Sequence, residues 1–194
     1  NNLQFLTGRA DAKIEVEASI QRLFFYAAWA DKFDGSARSV PLKAIALVMN
    51  EAIGNCGVIC DDRYPLLGFI SAMAPLFATG NRSIIIPSEP FSPIVTDFYQ
   101  VLDTSDVPPG TVNILTGKHT DLAIELASHM DIESVWSFST SDVSRDIEKA
   151  SVSNLKRTWV SNGEKLDWYN EESQGKQFLT NSTENKTIWI PYGE

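Results

Sequence analysis

The sequence predicts an α/β fold, with a parallel sheet of about five strands, helices on both faces, an N-terminal helix and a C-terminal edge strand. Short apolar segments alternate with longer helical segments, and connections of that length join parallel strands. Hydrophobic residues make up 43% of the 194 residues, and aromatic residues make up 10%. The chain is therefore long and apolar enough for one domain with a substantial core.

Five short apolar runs predict the strands of the parallel sheet. Runs without polar alternation are typical of strands that are buried on both faces. They cover residues 55–60, 83–86, 111–115, 134–139 and 158–161. Ligands of parallel sheets bind beyond the C-terminal ends of the strands. We therefore expect any site near residues 61–63, 87–89, 116–117 and 139–141.

Helical spacing of apolar residues predicts the connecting helices. Ile20, Leu23, Phe24 and Ala27 recur at this spacing, which predicts an amphipathic helix over 13–33 that ends near Gly35. Further helices are predicted at 66–79, where Pro75 disturbs the pattern, at 92–102, which opens with Ser92-Pro93, and at 121–129 and 142–154.

The last segment of the chain, residues 166–194, is polar until it ends in an alternating apolar run. That alternation over 187–191 predicts one edge strand ending at Pro191, which either closes its own sheet or pairs with a neighbouring subunit. We therefore divide the chain into an N-terminal helical segment, 1–38, a sheet domain, 39–165, and a polar tail with a terminal strand, 166–194.

Composition excludes several classes of partner. The formal net charge is -9, whereas nucleic acids and anionic membranes usually select a basic patch, so we expect neither as a partner. The only two cysteines, Cys56 and Cys60, predict a buried, reduced pair. The two histidines lie outside any metal-ligand pattern, so no metal is predicted. The first residues lack the apolar segment of a secretory signal, so we expect a cytoplasmic protein.

Several motifs, in order and at matching spacing, resemble those of the aldehyde dehydrogenase family over about residues 6–165. They are Leu6-Thr7-Gly8-Arg9, the run at 22–32, Tyr64-Pro65-Leu66, Gly80-Asn81, Pro87-Ser88-Glu89, the run at 107–117 and Leu155-Lys156-Arg157. The resemblance implies that the sheet is a Rossmann-like coenzyme domain. The chain also resembles the degenerate C-terminal half of the family 16 aldehyde dehydrogenases.

The resemblance also implies that the family's chemistry has been replaced. Aldehyde oxidation requires a nucleophilic thiolate, an amide that stabilises the oxyanion and a carboxylate that activates water. Arg63 stands at the position of the amide residue, and Ser161 stands at the position of the general base. In members of the family the nucleophilic cysteine comes later along the sequence, and this chain has no cysteine after Cys60. We therefore predict no catalytic residue in this chain alone.

The coenzyme positions are altered in the same way. Glu89 matches the family residue that holds the adenosine ribose hydroxyls, but Ile86 replaces the lysine beside it. Ser139 and Thr140 stand where the family has a glycine-containing turn that approaches the pyrophosphate. We predict that no cofactor is bound, with NAD at these positions as the alternative.

Three functions follow from the resemblance. The first is a non-catalytic structural, oligomerisation or regulatory module of a larger aldehyde dehydrogenase. Its partner would be the remainder of the parent chain or another copy, reached through the helix at 142–154 or the strand at 188–190. The second is an NAD(H)-binding module anchored by Glu89 and Arg63. The third is the NAD-binding half of an active NAD(P)-dependent aldehyde dehydrogenase.

Overall fold

A computed structural model describes residues 2–193 and contains a five-stranded, fully parallel sheet. Its strands lie in the spatial order β5-β4-β3-β6-β7. They are β3 (Asn55–Ile59), β4 (Arg82–Ile86), β5 (Val112–Ile114), β6 (Ser134–Ser137) and β7 (Arg157–Val160). All five predicted strands are present, each within two residues of its predicted ends. The α/β fold class predicted from the sequence is confirmed.

Helices cover both faces of this sheet and create two separate cores. The helices are α1 (Asn2–Thr7), α2 (Ala12–Trp29), α3 (Leu67–Ala78), α4 (Pro93–Thr96), α5 (Phe98–Thr104), α6 (His119–Ser128), α7 (Ser141–Ser151) and α8 (Lys176–Asn181). The larger core includes α3 and one sheet face, and the smaller core lies under α6 and α7. The single helix predicted at 92–102 is two short helices, α4 and α5, which meet at Asp97.

A second, antiparallel sheet stands beside the parallel one, and we call it the flap. It contains β1 (Ser36–Ser39), β2 (Ala44–Ala52) and β8 (Thr183–Pro191), in the order β1-β2-β8. The C-terminal strand is longer than the alternating pattern predicted, and it pairs with β2 from Ala44↔Pro191 to Ala52↔Thr183. β1 and β2 were not predicted, and they place the C-terminal strand in a sheet of its own chain.

Helix α2 begins where it was expected and ends earlier, at Trp29, but it buries a different face. The residues that it turns inward are Glu15, Ser19, Arg22 and Tyr26. Ile20 and Phe24, which the apolar spacing assigned to the core, are 42% and 69% exposed. These polar residues can be buried because their hydrogen bonds to the rest of the chain offset the cost of removing them from water.

The polar segment after Lys165 contributes large side chains to the main core. Trp168, Phe178 and Leu179 are fully buried, and Trp168 meets Phe138 edge to face with ring centroids 5.1 Å apart. The buried guanidinium of Arg22 donates to the carbonyl oxygens of Trp168 and Ser173, which ties this segment to α2. Burial lowers the pKa of Arg22. The division into three segments stays a prediction.

No helix within residues 2–193 is both long enough and apolar enough to span a lipid bilayer.

Candidate functional site

The candidate site is the edge of the parallel sheet where β3, β4, β6 and β7 end, and we call it the coenzyme edge. A cleft of about 190 Å³ lies there, lined in part by Asp61, Asp62, Arg63, Ser139, Thr140 and Lys165. The sequence predicted a site at this edge from the strand ends alone. The structure brings Arg63, Ser139 and Thr140 together in the cleft, whereas Ile86 is the last residue of the neighbouring strand β4 and Glu89 lies in the loop after it.

Arg63, which replaces the family's amide, is held in an ion pair. Its Nη2 donates to Asp61 Oδ2 at 2.5 Å, and its Nε donates to Asp61 Oδ1 at 3.1 Å. Asp61 is buried and also accepts a hydrogen bond from Trp168 Nε1 at 3.0 Å. A bidentate pair of this kind fixes the guanidinium in one direction. Arg63 therefore stabilises the chain's own carboxylate and the segment around Trp168.

The loop after β3 is fixed a second time by Glu15 from α2. Glu15 Oε1 accepts hydrogen bonds from the backbone N–H groups of Leu66 and Leu67 at the start of α3. Its Oε2 accepts from Arg9 Nη1 at 2.7 Å. Burial raises the pKa of Glu15, while these hydrogen bonds and Arg9 act against that rise. A buried carboxylate at a helix N-terminus satisfies amide groups that have no partner within the helix.

Glu89, the predicted ribose ligand, contacts the start of α6. Its Oε2 accepts a hydrogen bond from the backbone N–H of His119 at 2.9 Å. Its own backbone N–H donates to Asp62 Oδ1 at 2.7 Å. Glu89 is exposed, so its carboxylate is both a helix-start acceptor and open to solvent.

The His119 side chain lies buried between the ends of β4 and β6. Its Nε2 lies 2.7 Å from the carbonyl oxygen of Pro87, and its Nδ1 lies 3.2 Å from Ser139 Oγ. Because a carbonyl only accepts, Nε2 carries the proton, and in the neutral ring Nδ1 accepts from Ser139. His119 thus occupies Ser139 and the loop that follows β4. The sequence analysis did not single it out, because its partners are 20 and 32 residues away.

Ile86 and Thr140 also make their contacts within the chain itself. Ile86 is fully buried in the smaller core beneath α6 and α7. Thr140 is the residue before α7, and its Oγ1 accepts from the backbone N–H of Val143 at 3.4 Å. A threonine in this position caps the helix in place of an external anion.

Ser161 lies in a tight turn that closes the cleft beside β7. Asn162 and Gly163 have φ values of 53° and 79°, and Glu164 N donates to Ser161 O at 2.9 Å, as in a type I′ turn. A Cβ on Gly163 would lie 3.0 Å from Ser141 N, so the turn packs directly on the start of α7. Ser161 Oγ lies 3.4 Å from the carbonyl oxygen of Ser139, to which it donates. A serine hydroxyl in this place has none of the basicity of a carboxylate.

The two cysteines lie on β3 and directly after it, and Cys60 immediately precedes Asp61 of the cleft. Both are free and fully buried, as the sequence predicted. Burial raises the pKa of Cys56 to about 12 and raises the pKa of Cys60 as well. The nucleophilic form of cysteine is the thiolate, so neither thiol is suited to attack a carbonyl. Residues 2–193 contain no cluster of three His, Cys, Asp or Glu side chains arranged to hold a metal ion.

Comparisons with known proteins agree with this fold. The aldehyde dehydrogenase family model matches residues 7–167, so the chain belongs to the aldehyde dehydrogenase family. Mouse retinal dehydrogenase 2 is 33% identical over 153 residues, which are 78% of this chain and 30% of that protein. Human retinaldehyde dehydrogenase 3 is 30% identical over the same share of each chain. The chain therefore spans about a third of the length of these relatives.

Solved structures give the same result. PnpE from Pseudomonas sp. WBC-3 matches with a TM-score of 0.74 and 27% identity over 77% of this chain and 31% of that chain. PnpE in complex with nicotinamide adenine dinucleotide matches with a TM-score of 0.78 and 26% identity over 82% of this chain and 33% of that chain. A protein that shares this fold has therefore been solved with NAD bound.

The residues present fit that coenzyme only in part. Glu89, the ribose ligand that the resemblance implies, is an exposed carboxylate. Ile86 supplies no cation, and Thr140 caps α7 with its own side chain. Arg63 and Ser139 already have partners within the chain.

Proposed function

We propose that this chain is a non-catalytic module of the aldehyde dehydrogenase family that serves assembly through its flap. The partner is another copy of the chain or the remainder of a larger aldehyde dehydrogenase. The observation that carries the proposal is the flap itself, a three-stranded sheet with large apolar side chains exposed on both faces.

One face of the flap combines apolar residues from two strands. Paired residues of antiparallel strands lie on the same face, so Ile45 and Ile190, and likewise Leu47 and Ile188, stand side by side. Ile45, Ile188 and Ile190 are 45%, 39% and 46% exposed. Trp189 extends from the opposite face and is 53% exposed. A contiguous apolar surface of this kind is typical of a protein–protein contact.

The edge of the flap supports the same proposal. The strand order places β8 at an edge, with nine residues and a single lysine. A long edge strand presents backbone N–H and C=O groups that can pair with a strand of another chain. A protein normally protects such an edge, and a partner would provide that protection here.

Helix α7, the other contact surface expected from the sequence, has a different character. Its outward residues are charged, and they include Asp142, Arg145 and Lys149. Arg145 is paired with Asp142 at 2.7 Å. The flap is therefore the stronger candidate of the two surfaces.

The coenzyme edge supports the non-catalytic part of the proposal. Arg63 is directed at Asp61, Ser161 has no carboxylate, and the pKa of Cys56 is raised to about 12. Oxyanion stabilisation requires donors that point at the reacting atom, and general base catalysis requires a group that can take a proton. Of the two positions that the resemblance assigns to these roles, Arg63 is bound to Asp61 and Ser161 carries no basic group, so neither role is filled there.

Light scattering of the chain, alone and mixed with the rest of its parent polypeptide, tests the proposal. We expect a complex in one of the two cases, and we expect Ile188→Lys with Ile190→Lys to weaken it. Ile124→Lys is the matched control, because Ile124 is a 44% exposed isoleucine on α6, away from the flap. A strict monomer without affinity for the parent chain would refute the assembly role.

A second candidate is binding of NAD(H) as a structural or sensing ligand. Glu89 favours it, because the carboxylate is exposed at the coenzyme edge, and the PnpE complex shows NAD in a similar domain. Calorimetry with NAD, NADH and NADP decides between the candidates. Heat that disappears in Glu89→Gln would support coenzyme binding, and no heat at millimolar ligand would exclude it.

A further inference from the structure

A second cleft lies on the smaller-core side of the sheet, between β4 and α6, and we call it the slot. Its volume is about 220 Å³. Six aliphatic side chains line it, namely Ile84, Ile86, Leu115, Leu122, Leu126 and Ile132. Two polar residues of α6 and the turn after it, Glu125 and His129, complete the lining. A space of this size is unusual next to a packed core, where side chains normally interlock.

The seating of α6 explains why the slot stays open. Leu126 packs directly over Gly57 of β3, and a Cβ on Gly57 would lie 2.9 Å from Leu126 Cδ1. Leu122 packs in the same way on Gly117, where a Cβ would lie 2.7 Å from Leu122 Cδ1. Because Leu126 already lies against the backbone of β3, α6 cannot move closer to the sheet there to close the space beside β4.

We propose that the slot binds one uncharged, ring-sized apolar molecule, such as a single aromatic ring or a compact alkyl group. An apolar protein cavity of about 150 Å³ holds benzene, so the slot has room for a ring of similar or slightly larger size. The aliphatic lining favours apolar atoms, and a charged group placed against it would lose its hydration. Glu125 and His129 can accept or donate one hydrogen bond to such a ligand.

The slot is separate from the coenzyme edge and shares only Ile86 with the positions that the family uses for coenzyme. Arg63, Ser139 and Thr140 line the other cleft. At position 86 a lysine would bring an ammonium group to the wall of the slot. The isoleucine keeps that wall apolar, which is consistent with an apolar occupant.

Indole is a suitable probe, because its single ring system matches the volume and its N–H can donate to Glu125. We expect saturation-transfer NMR to show indole bound to the intact chain at millimolar concentration. Filling the slot with Ile84→Phe should weaken binding by about tenfold or more. Ile124→Phe adds the same ring on the exposed side of α6 and should leave indole binding unchanged.

Circular dichroism establishes that each variant is folded before binding is compared. Binding to the natural chain that is lost in Ile84→Phe and kept in Ile124→Phe supports the proposal. Absence of indole binding to the folded natural chain overturns it, and so does binding that both variants retain equally.

Discussion

The coenzyme edge and the flap differ in whether their exposed groups have partners within the chain. At the coenzyme edge, Arg63 pairs with Asp61, and Glu89 accepts from the start of α6, so the polar groups find partners within the chain. At the flap, Ile190 and Trp189 remain about half exposed, and β8 stands at a sheet edge. A surface whose groups are satisfied internally supports the fold, whereas a surface left apolar and unpaired suits a partner.

This difference implies that substitutions in the two regions affect different quantities. Changes at the coenzyme edge and the core behind it should lower the free energy of unfolding. Changes in the flap should leave folding nearly unaltered and act on association. The following predictions, from the largest effect to the smallest, test that contrast.

Trp168→Ala should lower the free energy of unfolding by about 3–5 kcal/mol, because it empties a fully buried site and removes the hydrogen bond to Asp61. Trp189→Ala removes the same side chain from a 53% exposed position of the flap and should change stability by less than about 1 kcal/mol. Urea unfolding followed by circular dichroism measures both. Equal losses in the two variants would contradict the contrast.

Both cysteines should be unreactive in the native chain. With the pKa of Cys56 raised to about 12, its thiolate becomes abundant only as the pH approaches that value. Near pH 8, the thiolate fraction should be smaller than that of a free cysteine by about three orders of magnitude. Ellman's reagent at about pH 8 should therefore label neither thiol until denaturant is added. Rapid labelling of one thiol in the native chain would contradict this prediction, because it would show that the reagent reaches the thiols on and directly after β3 without unfolding.

Asp61→Asn should lower the free energy of unfolding by about 2 kcal/mol, because it removes the charge that pairs with Arg63 and replaces one acceptor oxygen with an NH2 group that would face the donors of Arg63 or Trp168. Asp62→Asn is the control on the neighbouring residue. Its side chain is 46% exposed and accepts one backbone hydrogen bond, from Glu89. We expect it to cost about half a kcal/mol, and thermal unfolding at fixed pH compares the two. A larger loss of stability for Asp62→Asn than for Asp61→Asn would contradict the structural role assigned to Asp61.

Restoring the family's residues at the coenzyme edge should change the affinity for NAD only slightly. Ile86→Lys with Thr140→Gly returns a cation and removes the side chain that caps α7. We expect at most about a tenfold gain in NAD affinity over the natural chain, because His119 and Arg63 keep their partners. Calorimetry measures the gain. Tight NAD binding by this variant would show that Ile86 and Thr140 alone prevent coenzyme binding at this edge.

The sequence predicted the parallel sheet well, because buried parallel strands are continuous apolar runs bounded by turns. It did not predict β1 and β2. Ser36–Ser39 is polar, and β2 begins as a continuous apolar run without the polar alternation of an antiparallel strand, so its assignment depends on β8, which lies far away along the chain. The buried face of α2 was wrong for a similar reason. Glu15 and Arg22 are buried because distant backbone groups bond to them, which apolar spacing cannot indicate.

Sequence reasoning about the candidate site identified positions and missed partners. The family motifs located Arg63, Ile86, Glu89 and Ser161 by their order along the chain. Two partners of these residues, Asp61 for Arg63 and the backbone N–H of His119 for Glu89, are evident only in the folded structure. Asp61 is two residues from Arg63, so that local pair could have been suggested by charge alone. His119 carried no such signal.

Hydrogen–deuterium exchange at several protein concentrations tests the central contrast most directly. The backbone N–H groups of Glu89 and His119 donate to carboxylates within the chain, so their exchange should be slow at every concentration. The alternate N–H groups of β8 that face away from β2 should exchange fast in dilute chain and slowly when the chain or its parent partner is concentrated. Exchange of β8 that is independent of concentration and partner, beside a coenzyme edge that exchanges fast, would contradict the account.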